Sequence, residues 1–447
     1  MKHYLAVDIG ASSGRHVLGS VEGGKLRLRE VYRFANGAEQ VGGRLVWNAE
    51  KLVAEVVEGM KRCAALGVTP RSVAVDTWGV DYALLDKDNA LIAPVFAYRD
   101  GRTEAAVSAV EAITPPEELY AHTGIQKQPF NTIYQLYADK LSGRLDCAER
   151  MLLLPAYITY RLTGVMKNEY TDATTTGLIN AKSGAWDEEM IEKLGFPKRL
   201  FGALAEPGEL IGLLSPSVAA QVGFDCGVVA APSHDTASAV AACRLEEGGA
   251  YISSGTWSLI GVETAEPILS EAARSANFTN EGGVERRFRF LKNYSGMWML
   301  QCIRRDVGGT LTYDEMMEAA RACGGHDRVD VTDPAFLAPA NMTEAIRAFA
   351  GKPDMPLDRV LDTVYHSLAE SYAEAIDEIA RVTGEKPRSI RIVGGGSRDV
   401  YLNELTEKYT GLPVKAGPVE ATAAGNLLSQ IMCDKKLTLA QARELID

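Results

Sequence analysis

Leu5-Ala-Val-Asp-Ile-Gly-Ala-Ser-Ser-Gly-Arg15 is the segment of this chain best suited to chemistry. An apolar strand delivers Asp8 to a tight turn of Gly10, Ala11, Ser12, Ser13 and Gly14, after which the chain re-enters a strand. Small residues let backbone N–H groups crowd around an anion, and the two serines add hydroxyl donors. A strand-end aspartate suits hydrated Mg²⁺, which takes one or two carboxylates plus phosphate oxygens. Asp8 is therefore the metal candidate, and Ala11, Ser12, Ser13, Gly14 and Arg15 are the phosphate candidates. An ordinary hairpin with Asp8 as a turn cap is the plainer alternative. A second hairpin of the same kind, Gly249–Val262, runs into Ser253-Ser254-Gly255-Thr256. Two phosphate turns in different halves of one chain suggest two similarly built domains holding a nucleoside triphosphate between them, with Thr256 serving the second side.

These turns need strands and helices behind them. The hairpin Gly23-Gly24 joins strands 15–20 and 26–32, and helical spacing of Leu52, Val56, Met60 and Ala64 marks a helix over 48–66. Buried strands over 72–76 and 82–86 flank Thr77-Trp-Gly-Val-Asp81. In the second half, strand 228–231, turn 232–236 and a small-residue helix over 237–243 form one group. A long amphipathic helix over 357–382, a strand over 389–393, Gly394-Gly395-Gly396 and helices over 399–409 and 421–432 complete the pattern. Strand–helix alternation with polar residues at strand ends is α/β logic, which seats ligands at the carboxyl ends of strands. The triple glycine lacks Gly-x-Gly-x-x-Gly spacing, and no Gly-x-x-x-x-Gly-Lys-Ser/Thr string occurs.

With 447 residues the chain is expected to form two domains, 1–226 and 227–447. A net charge of −12 argues against a nucleic-acid or anionic-membrane surface without forbidding a local phosphate site. The seven cysteines, at 63, 147, 226, 243, 302, 323 and 433, form no Cys-x-x-Cys pair and read as small apolar groups. No signal-like run precedes Asp8 and no apolar stretch is long enough to span a bilayer, so a cytoplasmic protein is expected.

Taken together, these landmarks resemble the FGGY carbohydrate kinases of the actin-like ATPase superfamily. The matching segments are Val7–Arg15, Asp76-Thr-Trp-Gly-Val-Asp81, Pro129-Phe-Asn-Thr132, Tyr170–Thr176, Ser233-His-Asp-Thr-Ala-Ser-Ala239, Ser253–Ser258, Asn280-Glu-Gly-Gly283, Leu291-Lys-Asn293 and Val393–Gly396. The segments at 76–81 and 233–238 are closest to family members acting on L-rhamnulose. The resemblance implies two actin-like (ribonuclease H-like) domains around a central ATP and sugar cleft, with ATP and Mg²⁺ required. It implies Asp235 as the base that takes the sugar's proton, with capping of the following helix as its structural alternative. His234 and Thr236 would hydrogen-bond the sugar, Asn293 and Asp81 would add contacts, and Gly79 would leave room for a six-carbon ketose. Trp78 would stack on the sugar or simply pack. Gly394, Gly395 and Gly396 would pass near the adenosine, with Gln301 as a further nucleotide contact. The expected partners are L-rhamnulose and ATP, with no nucleic acid or membrane, in a monomer or small homo-oligomer. A kinase of another ketose or polyol (fuculose, xylulose, glycerol) is the near alternative. A non-catalytic ATP-binding sensor is the remote one.

Overall fold

A strand buried on both faces must lie inside a sheet, and His3–Ile9 is buried along its whole length after its first residue. A computed structural model describes residues 2–337 and 339–446. In it, this strand pairs antiparallel with Ser13–Glu22 and parallel with Ser72–Thr77. The full sheet runs Leu210–Leu213, Gly227–Val229, Ser72–Thr77, His3–Ile9, Ser13–Glu22, Lys25–Ala35. Gly227–Val229, Ser72–Thr77 and His3–Ile9 are mutually parallel neighbours, so their carboxyl ends open on one edge. That edge is where α/β sheets collect ligands.

Helices cover the sheet. Ala49–Ala65 is capped by the Asn48 side chain and buries Leu52, Val56, Met60 and Cys63, one residue inside each expected end. A β-hairpin turns at Gly23-Gly24, as its sequence requires. The helix after the strand at 227–229 begins at Asp235 and ends at Ala241, two residues earlier at each end than expected. His234 occupies its N-cap position without a side-chain cap, so Asp235 is the first helical residue and does not act as the N-cap. The Ala-rich helix Ala421–Lys435 crosses Asp235–Ala241 closely, with Gly425 against the Ser238 carbonyl.

The chain divides into two compact units. Unit 1 comprises Met1–Ala242, Thr264–Phe290 and Ala421–Asp447, and unit 2 comprises Cys243–Glu263 and Leu291–Glu420. The turn carrying Asp235 thus lies in unit 1, while the line drawn from sequence at 226/227 groups it with the second half. In unit 2, Ala250–Ser254 pairs antiparallel with Ser258–Thr264 and parallel with Ile390–Val393, which pairs in parallel with Val414–Ala416. The 27-residue helix Leu357–Thr383 and the helix Val400–Thr410, capped by Asp399, complete the architecture around it. No helix among the described residues is long and apolar enough to cross a membrane.

Candidate active site

Register aligns the chemistry of unit 1. Asp8 and Asp76 are direct neighbours across the parallel pair of strands. The Thr77 amide donates to the Ser233 carbonyl at 2.9 Å, and Thr77 bridges to His234, so the turn bearing Asp235 joins the same sheet edge. Three carboxylates share this edge, Asp8 and Asp76 near strand ends and Asp235 at the start of a helix. Asp76 is fully buried, and burial, reinforced by the charge of Asp8, pushes its carboxyl well above the usual range. Its Oδ2 accepts from Asn426 Nδ2 at 2.6 Å, while Oδ1 is buried without a partner. The Asp235 side chain keeps 32% of its surface exposed. The surrounding protein nevertheless raises its pKa by desolvation, with His234 opposing and Asp8 adding to the shift. Thr236 Oγ1 donates to Asp235 Oδ1 at 3.1 Å, and His234 Nε2 lies 3.5 Å from the same oxygen.

His234 is itself held. Its Nδ1 lies 3.3 Å from Glu281 Oε2 and 3.2 Å from Arg289 Nη2, and those two are paired at 3.0 Å. Arg289 is 1% exposed and also donates from Nε to the Gly282 carbonyl. Burial pushes Glu281 up, but Arg289 and His234 outweigh it and hold the carboxyl below its ordinary value. On the preceding turn, Ser233 donates from both N and Oγ to Glu169 Oε2. Asp172 is fully buried with Oδ2 unpartnered. Burial, joined by the charges of Glu169 and Asp235, drives its pKa well up. Gly79 faces this group: a Cβ there would lie 3.1 Å from Thr175 Oγ1 and 3.2 Å from Asp172 Oδ1.

Asp76, Glu169, Asp172, Glu281 and Arg289 carry no role in the sequence reading. All but Glu169 and Arg289 stand in the family-like segments, but only register and burial show what they touch. Asp81 receives a different use from the one expected. It is 1% exposed, and its oxygens accept from Trp47 Nε1, Trp78 Nε1, the Tyr98 amide and Gln135 Nε2. Both of its oxygens are engaged inside the protein. Burial lifts its carboxyl to about 6. Trp78 is buried against Trp47 with ring centroids 4.2 Å apart, which is packing.

At the turn after Asp8, Gly10 N donates to the Ser13 carbonyl, and Asn36 takes the carbonyls of Gly10 and Ser12. Ala11 and Ser12 are exposed at its tip and Ser13 is half-buried, whereas Gly14 is buried under the Phe34 ring. Arg15 lies opposite Asp8 in the strand pair and donates to its Oδ2 from Nε at 2.9 Å and Nη2 at 2.7 Å. Two adjacent strand-end carboxylates, one with a buried orphan oxygen, are a donor set that fits Mg²⁺.

Unit 2 gathers its own candidates. Thr256 is exposed on the turn between paired strands, and its carbonyl accepts from the amide of Trp298 at the head of helix Trp298–Asp306. Gln301 sits one turn into that helix. Gly394 has φ +87°, and a Cβ there would lie 2.7 Å from the Ser254 carbonyl oxygen. Gly396 packs on the Ser254 side chain, so the triple glycine nests against the Ser253–Thr256 turn. Gly395 has open space around its Cα. Asn293 Oδ1 is buried without a partner.

Residues 3–242 match the N-terminal domain and residues 250–433 the C-terminal domain of the FGGY family of carbohydrate kinases. The chain belongs to this family. It is 42% identical to a rhamnulokinase of Halalkalibacterium halodurans, covering 100% of this chain and 97% of that one. A rhamnulokinase of Bacillus subtilis is 37% identical over 99% of this chain and 93% of its own. Among solved structures, ligand-bound xylulose kinase from Lactobacillus acidophilus superposes with a TM-score of 0.82 at 15% identity, covering 100% of this chain and 92% of that one. Plasmodium falciparum glycerol kinase with ADP gives 0.77 at 13% identity, covering 100% and 92%. These likenesses show the two-domain α/β fold of the family, and the chain is an ATP-dependent sugar kinase that works with Mg²⁺.

Proposed function

We propose that this enzyme transfers the γ-phosphoryl group of ATP to the 1-hydroxyl of L-rhamnulose, giving L-rhamnulose 1-phosphate and ADP in L-rhamnose breakdown. The substrate assignment rests on relatives named rhamnulokinase that match along essentially the whole chain. The mechanism rests on one observation: Asp235 stands at a strand-end edge, beside His234 and Thr236, with a carboxyl pushed above its ordinary range.

A raised pKa makes Asp235 a better proton acceptor than a solvated carboxylate. It takes the proton of the attacking hydroxyl as that oxygen bonds to the γ-phosphorus and the bond to the bridging oxygen breaks, releasing ADP. A positioned base of this kind contributes roughly 10²–10⁴-fold. His234, its orientation set by Glu281 and Arg289, presents Nε2 toward the sugar and Asp235. Thr236 and Asn293 match further hydroxyls, since Asn and His suit a polyol. Gly79 keeps the wall formed by Asp172 and Thr175 free of a side chain. In unit 1 Ala11, Ser12, Ser13 and Arg15 are the phosphate candidates, and in unit 2 Thr256, Gln301 and Gly394–Gly396 are the nucleotide candidates. Mg²⁺ would be held by Asp8 with Asp76 beside it, and it neutralises phosphate charge when bound. The acidic net charge suits small-molecule chemistry in the cytoplasm rather than nucleic-acid or bilayer binding.

The test is ADP formation with Mg-ATP against L-rhamnulose, L-fuculose, D-xylulose and glycerol, with ³¹P NMR of the product. A kcat/KM at least about tenfold higher for L-rhamnulose, roughly 1.4 kcal/mol of transition-state preference, is expected. Preference for another ketose would overturn the substrate but keep the kinase.

A further inference from the structure

Away from these candidates, unit 2 contains a group that the kinase reaction leaves unused. Asp362 and His366 stand four residues apart on the helix Leu357–Thr383, on one face of it. His326 reaches the same spot from the segment after the helix Tyr313–Cys323. One ligand-capable atom from each of the three lies within 4.8 Å of the others. The Asp362 side chain is 1% exposed, and no lysine or arginine among the described residues pairs with it. A buried carboxylate without a cationic partner is costly unless a metal or a full set of donors satisfies it. Its neighbours are Tyr401, whose hydroxyl donates to Oδ1 at 2.8 Å, and His366 Nε2 at 3.5 Å.

The surroundings resemble the outer shell of a metal site. His366 Nδ1 is engaged by the Tyr409 hydroxyl at 2.6 Å, while Nε2 faces Asp362 at 3.5 Å and lies 3.3 Å from the Tyr401 hydroxyl, which a bound metal would displace from it. Ligating histidines are commonly fixed through their second nitrogen in this way, and ligating carboxylates are themselves hydrogen-bonded. The His326 ring stacks on His366 at 3.5 Å with 7° between planes. His326 is exposed and neither of its nitrogens has a hydrogen-bond partner among the described residues, so a modest swing of its ring would aim a nitrogen inward. Two imidazoles and one carboxylate favour a borderline divalent ion such as Zn²⁺ over Mg²⁺ or Ca²⁺. Zinc bonds of about 2.0–2.2 Å place neighbouring ligand atoms about 3.3 Å apart, and the His366 Nε2–Asp362 Oδ1 pair already stands at 3.5 Å.

We propose that His326, Asp362 and His366 form a zinc-type divalent metal site, open at a fourth position, that ties the 324–331 segment to the long helix. A second triad, Glu118, His122 and Glu189, lies on unit 1, but none of its members is buried and Glu118 is already paired with Lys193. The metal site is independent of the kinase reading.

The full chain, stripped with EDTA, is titrated with Zn²⁺ under excess Mg²⁺, which occupies carboxylate-only sites. Bound zinc is counted by elemental analysis and affinity measured by calorimetry; Co²⁺ reports the ligand set through its visible d–d absorption. One zinc per chain is expected, raising the thermal midpoint. His326→Ala, an exposed substitution, is expected to weaken binding at least about tenfold and abolish both the Co²⁺ spectrum and the thermal shift. Tyr409→Phe is expected to weaken it by roughly tenfold. His122→Ala is expected to change nothing. A wild-type chain that binds no zinc overturns the site. So does a His326→Ala chain that binds zinc as tightly as wild type, or loss of zinc on His122→Ala.

Discussion

Replacing Gly425 with alanine tests how closely the helix behind the active-site edge must approach the helix that starts at Asp235. A Cβ at Gly425 would collide with the Ser238 carbonyl oxygen and lie 2.6 Å from its carbon and 3.1 Å from Ser238 Cα. Carbon atoms in good contact sit about 3.5–4.0 Å apart, so the helices would have to separate by about 1 Å. Backbone cannot rotate away as a side chain can. Overpacking of this kind costs about 1–3 kcal/mol, occasionally more. At about 2–4 °C per kcal/mol, the thermal midpoint of Gly425→Ala should fall by about 2–12 °C. The shift also moves Asp235, at the head of the displaced helix, and Asn426, which hydrogen-bonds Asp76. A misplacement near 1 Å can cost on the order of 10²-fold in rate, so kcat should drop far more than the KM for ATP. Differential scanning calorimetry and steady-state kinetics on the purified variant decide it. A midpoint within about 1 °C of wild type with unchanged kcat would refute the packing argument.

Asp235→Asn should lower kcat by roughly 10²–10⁴-fold while ATP binding, measured by calorimetry, stays near wild type. Because desolvation raises the Asp235 pKa, the acid limb of kcat/KM against pH should lie above the ordinary carboxylate value of 3.8. Glu281→Gln leaves the buried Arg289 without its anion, and should destabilise the fold by about 3–5 kcal/mol in urea titrations while raising the KM for sugar. Glu281 has a depressed folded pKa, so its contribution is present above its unfolded value of 4.5 and is lost as pH falls through the folded value. Equilibrium unfolding of wild type and Glu281→Gln should converge under acid. Gly79→Ala presses on Thr175 and Asp172 and should raise the KM for the sugar several-fold without altering the KM for ATP, since its Cβ points at the Asp172 wall alone.

Local chemistry made much of this protein legible from sequence. Gly23-Gly24 had to turn a hairpin, the helical spacing of Leu52, Val56 and Met60 had to make a helix, and the Asp8 turn between apolar runs had to end a strand, because each depends on a short local stretch of sequence. Asp235 and its neighbours also stood out in sequence as chemical residues. What tertiary structure alone decided is which charges meet. Parallel register brought Asp8 beside Asp76, and folding surrounded Asp81 with donors from Trp47, Trp78, Tyr98 and Gln135. Folding also set Arg289 and Glu281 behind His234, and stacked His326 on His366 beside Asp362. Strand order and desolvation are properties of segments far apart in the chain, and no local pattern encodes the distance between them. Sequence therefore determined which groups this protein possesses and how each turn presents them; the fold determined their partners, and through those partners their charge.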